Sequence, residues 1–156
     1  MRVLVDADSC PRRVRDIIIR ASRRTGVGAV FVANRIVPGI DPSSKDFVRV
    51  PPGEGSADRY ILDHSRAGDL VVTRDIPLAS DLVERGVCVL NDRGLVYSHE
   101  NVRERLSLRN FMYQLRHNGV TPPPGSSFGA REGNNFANSF DRELSRLRRE
   151  AETPRS

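Results

Sequence analysis

The chain has 156 residues, with 25 Lys and Arg against 20 Asp and Glu and a formal charge of +5. That is the size of a single domain, able to bury a core without help from a disulfide or metal. Two cysteines, Cys10 and Cys88, exclude a disulfide framework and a Cys-x-x-Cys pair. The chain shows neither a secretory leader nor any run near ~18 apolar residues, so a soluble, cytoplasmic protein with no membrane association is expected.

The first strand is Val3-Leu4-Val5, which stops at two carboxylates, Asp6 and Asp8. Pro11 then opens a helix to Arg24, with Val14, Ile17, Ile18 and Ala21 on one stripe, Ser9 or Asp8 as its cap and Thr25-Gly26 as its end. Ala29 to Ala33 reads as a second strand, residues 34–46 as a loop, and Phe47 to Val50 as a short third strand stopped by Pro51-Pro52. A helix follows from Ala57 to Arg66, with Tyr60, Ile61 and His64 as inward candidates. Leu70 to Thr73 is a fourth strand, Pro77 to Arg85 a helix, and Val87 to Leu90 a fifth strand running out at Asn91-Asp92. Strands alternating with helices at this spacing predict a doubly wound α/β fold with a mainly parallel five-stranded sheet.

Beyond Gly94 only helices are expected. Ser98 caps a short one through Leu106, and Ser107 caps another with the stripe Leu108, Phe111, Met112, Leu115. Arg103, Arg105, Arg109 and Arg116 lie off that stripe as a basic face. The last helix carries Phe136, Phe140, Leu144 and Leu147 in register, so it is expected to dock on the body. The domain reading is 1–118 for the α/β unit with appended helices and 119–133 for a Pro/Gly/Ser-rich linker. Residues 134–150 are the docking helix, and 151–156 a disordered tail.

Four carboxylates fall at carboxyl ends of strands or on an adjoining helix: Asp6, Asp8, Asp58 and Asp75. Asp8, Asp58 and Asp75, each taken alone, read as ordinary helix-cap chemistry. Gathered in one crevice, they would raise one another's pKa unless a cation joined them. Mg²⁺ or Mn²⁺ is the natural cation, because it takes hard oxygen ligands and keeps water positions open for a phosphate oxygen. Arg12 and Arg13, at the start of the first helix, would hold substrate phosphate beside the helix dipole. The net positive charge, carried by arginine with Lys45 as the one lysine, suits a nucleic-acid partner, RNA being the one expected.

Several stretches together resemble the YaiI/YqxD family of uncharacterised bacterial proteins. They are Val5 to Pro11, Ala57-Asp58, Gly68 to Ala79, Leu90-Asn-Asp-Arg-Gly94, Arg103 to Met112 and Phe136-Ala-Asn138. The layout is also similar to PIN-like nucleases. That resemblance implies Asp6, Asp58 and Asp75 as metal ligands, Asp8 as an additional one and Thr73 as a polar neighbour, with phosphodiester hydrolysis as the activity. Asn91 and Asp92 are secondary candidates. Asp92 stands where the family run Leu-Asn-Pro-Arg-Gly has proline, and could act as an outer-sphere acid.

Asp6-x-Asp8 with Thr73 also looks like the haloacid-dehalogenase phosphatases, which use the first Asp as nucleophile and the second as general acid. That family needs a lysine after the threonine strand, which this chain lacks, and Cys10 occupies the place of an expected threonine. A third reading is a non-catalytic nucleic-acid- or protein-binding module on a PIN-like fold. Cys10 is expected buried, since no Cys-x₅-Arg loop follows it. Gly26-x-Gly28 lacks a third glycine, Lys45 lacks a phosphate loop, and His64, His99 and His117 share no metal-ligand spacing.

Overall fold

The strand that begins the chain lies at the centre of the sheet. A computed structural model describes residues 1–121 and 127–153. Its strands are β1 (Arg2–Asp6), β2 (Gly28–Ala33), β3 (Phe47–Arg49), β4 (Leu70–Val72) and β5 (Cys88–Leu90), in the order β3-β2-β1-β4-β5. Every neighbouring pair is parallel, so the mainly parallel sheet that was expected is wholly parallel. The helices are α1 (Arg12–Thr25), α2 (Ser56–His64), α3 (Ile76–Glu84), α4 (His99–His117) and α5 (Ala130–Glu152).

Alternation along the strands divides the core into two layers. Val3 and Val5 of β1 face one side, where they meet Val14, Ile18 and Ala21 of α1 and Phe136, Phe140 and Leu144 of α5. Leu4 faces the other side, with Ile61 of α2, Leu78 and Leu82 of α3, and Val102 of α4. The aromatic stripe of α5 is fully buried, and each such side chain contributes about 1.5–3 kcal/mol. The fold is therefore α/β and doubly wound, with α4 and α5 as the additional C-terminal helices.

From β1 the chain moves outward through β2 to β3, then returns through α2 to β4 on the opposite side of β1. The gap between β1 and β4 is the topological switch point, where open parallel sheets bind ligands at the carboxyl ends of their strands. Asp6 ends β1, and Thr73 and Asp75 follow β4, so the chain order alone delivers acid to both sides of that gap.

Several boundaries differ from the sequence expectation. Helix α1 starts at Arg12, with Pro11 at the capping position and no side-chain cap, so neither Ser9 nor Asp8 caps it. Gly26 ends it in the left-handed conformation, φ 77°. His64 is exposed and stacks on Tyr60 with ring centroids 3.9 Å apart, while Ile61 points inward.

The two short helices expected after Ser98 are one continuous helix. Ser98 caps it reciprocally with Asn101, and Ser107 is passed without interruption because nothing before Gly119 breaks the helix. Helix α5 starts at Ala130, inside the stretch expected as linker, because the Glu132 carboxylate accepts the Gly129 N–H at 3.0 Å and starts the helix there. It continues to Glu152, past the expected end at 150. The rest of the expected linker, residues 122–126, and residues 154–156 of the expected tail lie outside the described residues. No described helix is long and apolar enough to cross a membrane.

Candidate metal centre

Asp6 is half-buried at the end of β1, and one of its carboxylate oxygens accepts the Thr73 hydroxyl at 3.1 Å. Thr73 is buried, and its Oγ1 also accepts the Asp75 N–H at 3.0 Å. One hydroxyl thus fixes an acid on β1 to the backbone that leads into α3. Asp75 caps α3, its carboxylate accepting the Leu78 N–H at 2.8 Å. Of the candidate acids it alone acts as a helix cap: α2 is preceded by Gly55, and Asp58 lies in its first turn.

Electrostatics bind three of the acids into one set. Burial raises the Asp6 pKa, the Thr73 hydrogen bond opposes the rise, and the charges of Asp8 and Asp75 add to it. Asp58 is pushed up to about 7 by burial first, then by a side-chain hydrogen bond with Asp75 and the charges of Asp75 and Asp6. The raised pKa of Asp58 reflects a half-buried carboxyl set beside the charge of Asp75.

Asp8 acts on Asp6 through its charge, while its own side-chain bonds go to the loop after β2. Its carboxylate accepts the Asn34 N–H at 3.3 and 3.1 Å from its two oxygens, and Arg35 lies 3.5 Å from Oδ1. The Arg35 guanidinium also donates to the Asp8 carbonyl at 2.7 Å. Asp92 is buried and pairs with Arg74 at 3.5 Å. Asn91 uses Oδ1 to accept the Arg93 and Leu95 N–H groups, both at 2.9 Å, which closes the turn after β5. Arg13 is laid along α5, donating to Asn134 at 2.8 Å, and a Cβ at Gly133 would fall on its side chain. Arg12 is exposed beside it.

The donor set suits a hard divalent cation: carboxylate oxygens from Asp6, Asp58 and Asp75 with a hydroxyl beside them, and no sulfur or imidazole among them. Among the described residues, no three His, Cys, Asp or Glu side chains stand close enough to form a ready-made cage. An ion that takes one or two carboxylates and keeps its water suits that looser arrangement. Arg35 and Arg74 were not singled out from the sequence. Each lies two residues past a strand end, so the rule that located the acids would have located these bases too.

Residues 4–146 match the family model described as "Uncharacterized BCR, YaiI/YqxD family". The chain belongs to the YaiI/YqxD family. This YaiI/YqxD member is 51% identical to a UPF0178 protein of Treponema pallidum, over 98% of this chain and 89% of that relative. It is 49% identical to one of Myxococcus xanthus, over 94% and 96% of the two chains. A UPF0178 protein of Syntrophobacter fumaroxidans shares 46%, over 94% and 95%. No solved structure matches the chain.

Proposed function

We propose that this protein is a PIN-like, divalent-metal-dependent nuclease that hydrolyses phosphodiester bonds in RNA. The observation that carries the reading is the electrostatic coupling of Asp6, Asp58 and Asp75 at the switch point between β1 and β4. These three residues would hold Mg²⁺ or Mn²⁺, with Asp8 close enough to add charge to Asp6. Bound there, such an ion supplies a water of lowered pKa and steadies a leaving oxygen.

The chain's own residues do the remaining work. Thr73 holds Asp6 in place, and the proton favoured on Asp58 by burial and its acidic neighbours is the one a cation would displace. A cleft of about 530 Å³ opens beside Asn91, lined by Arg93, Arg105, Arg142, Asn135 and Asn138. Guanidinium and amide groups together suit a phosphate backbone and its sugars. Arg12, exposed at the start of α1, adds a further positive charge.

The test is cleavage of labelled single-stranded RNA and DNA, with and without Mn²⁺, beside the Asp6→Asn/Asp75→Asn variant. The expected result is Mn²⁺-dependent cleavage of RNA that the double variant lacks. Cleavage that survives the substitutions sinks the proposed centre, and binding without cleavage supports a non-catalytic nucleic-acid module. A phosphatase reading would need a lysine after β4, but Arg74 stands there, paired with Asp92.

A further inference from the structure

Helix α4 carries a row of arginines without counter-charge. Arg105, Arg109 and Arg116 are exposed, and among the described residues none of the three forms an ion pair, whereas Arg24, Arg35, Arg74, Arg93 and Arg146 each do. The sequence explains the difference, because no Asp or Glu occurs between Glu104 and Glu132. Spacings of four and seven residues set the row on one side of the helix, within an arc of about 80° that also takes in Tyr113 and over about 16 Å of the axis.

Tyr113 is 63% exposed, and its ring lies nearly parallel to that of His117, with centroids 6.4 Å apart and an angle of 11° between the planes. Arg109, Tyr113, Arg116 and His117 together line a shallow groove of about 410 Å³. The row begins at the rim of the candidate centre, where Arg105 lines the cleft beside Asn91. Buried Tyr97 stands between the two. Its hydroxyl pKa is pushed up chiefly by burial, the charge of Arg105 opposes the rise, and those of Asp92 and Asp75 add to it. The arginine row and the acids after β4 and β5 thus lie within electrostatic reach of one side chain.

We propose that this face of α4 binds single-stranded RNA, with Arg105, Arg109 and Arg116 on its phosphates and Tyr113 stacked on a base, and leads the strand to the metal centre. The inference rests on the nuclease reading for the nature of the strand, and adds a contact surface outside the centre. A polyanion complements an arginine face that has no counter-charge, since each phosphate neutralised releases a counterion. Guanidinium forks match phosphate oxygens in pairs. Stacking requires a base with an open face, which a single strand offers and a duplex does not. A protein partner fits less well. On the adjoining flank Leu108 is 56% and Phe111 59% exposed, but Met112 and Leu115 are partly covered, which leaves too little apolar area for a stable protein interface.

Two readouts on the full chain test the surface: fluorescence anisotropy of labelled single-stranded RNA in EDTA, and cleavage of the same RNA in Mn²⁺. Arg109→Ala/Arg116→Ala should weaken binding on the order of ten-fold and lower the slope of log affinity against log salt by about 0.7 for each arginine. Tyr113→Leu should weaken binding about five-fold or more with the salt slope unchanged. In the cleavage assay the double variant should raise KM and keep the wild-type kcat. Arg20→Ala/Arg23→Ala removes the same charge from exposed positions of α1, on the opposite face of the sheet, and should bind like wild type. Far-UV circular dichroism should match wild type throughout, every substituted side chain being exposed.

Binding that is unchanged in Arg109→Ala/Arg116→Ala, or that falls equally in the α1 control, overturns the proposal, as does a Tyr113→Leu that binds like wild type. Each of these results leaves the nuclease reading standing where wild type still cuts. A wild type that binds through α4 and never cuts keeps the surface and removes the nuclease, and one that neither binds nor cuts removes both.

Discussion

Thr73 joins Asp6 to Asp75: its hydroxyl donates to the Asp6 carboxylate at 3.1 Å and accepts the Asp75 N–H at 3.0 Å. The residue is 2% exposed, so water cannot take over either bond. Thr73→Val keeps the shape but takes the hydroxyl partner away from a partly buried carboxylate and from an N–H, at a cost of about 1–3 kcal/mol. Thr73→Ser keeps the hydroxyl and loses one methyl, costing about 0.8 kcal/mol. Urea unfolding of the two variants beside wild type checks the order. A Thr73→Val as stable as Thr73→Ser would mean the hydroxyl does not anchor the site.

The raised pKa of Asp58 sets a pH dependence for the metal-free protein. Asp58 is raised from 3.8 to about 7 in the folded chain, so between those values the native state binds more protons than the unfolded one. Its contribution to stability is complete below 3.8 and is lost as pH rises through about 7. Asp6, also raised, acts in the same direction. Unfolding midpoints measured in EDTA should therefore decline from pH 5 to pH 8, and Asp58→Asn should flatten the decline. Mn²⁺ should restore wild type more at pH 8 than at pH 5, since it competes with the same proton. A slope unchanged in Asp58→Asn would remove Asp58 from the coupled set.

The acids at the switch point could be read from the sequence because a strand that stops at Asp6 and one that stops before Asp75 are local events. In a parallel sheet such ends share one edge whatever the long-range detail. The direction of Asp8 could not be read. It is fixed by the Asn34 N–H, brought alongside when β2 pairs with β1, and no local pattern signals that bond. The continuity of α4 was also hidden, since Ser107 satisfies the composition of a cap and of an exposed mid-helix residue equally well. The start of α5 depends on Glu132 reaching back to Gly129, a pairing that a run of Pro, Gly and Ser just ahead obscures. Periodicity found the stripe on α4 but not its surroundings, because a helix with an apolar face looks the same whether that face meets its own core or another molecule.

The cysteines should be inert in the folded protein. Burial pushes the Cys10 thiol up to about 12 and Cys88 up to about 11, despite Arg15 near the first and Arg146 near the second. At pH 8 almost no thiolate is present at either, and the thiolate is the reactive form. Reaction with a chromogenic disulfide reagent should be slow in buffer and release two equivalents in guanidinium, one for each free cysteine. Rapid labelling of Cys10 in the native state would show that the loop between β1 and α1 opens.

Gly94 closes the turn after β5 against α5, and its substitution separates backbone strain from collision. Its φ is 89°, and a Cβ there would lie 2.5 Å from the Asn135 carbonyl oxygen and 2.8 Å from its carbon. Those atoms are helix backbone and cannot move aside without shifting α5 off the sheet. Gly26, at φ 77°, offers the comparison, since a Cβ there meets nothing within 4 Å. Gly26→Ala should cost only the left-handed penalty, about 1–2 kcal/mol. Gly94→Ala bears that penalty and must also move the Asn135 carbonyl or the turn, so its loss should exceed that of Gly26→Ala by a further 1–3 kcal/mol or so. Equal losses in denaturant unfolding would show that the turn and α5 separate freely, and that the β5 end of the cleft is not held by this contact.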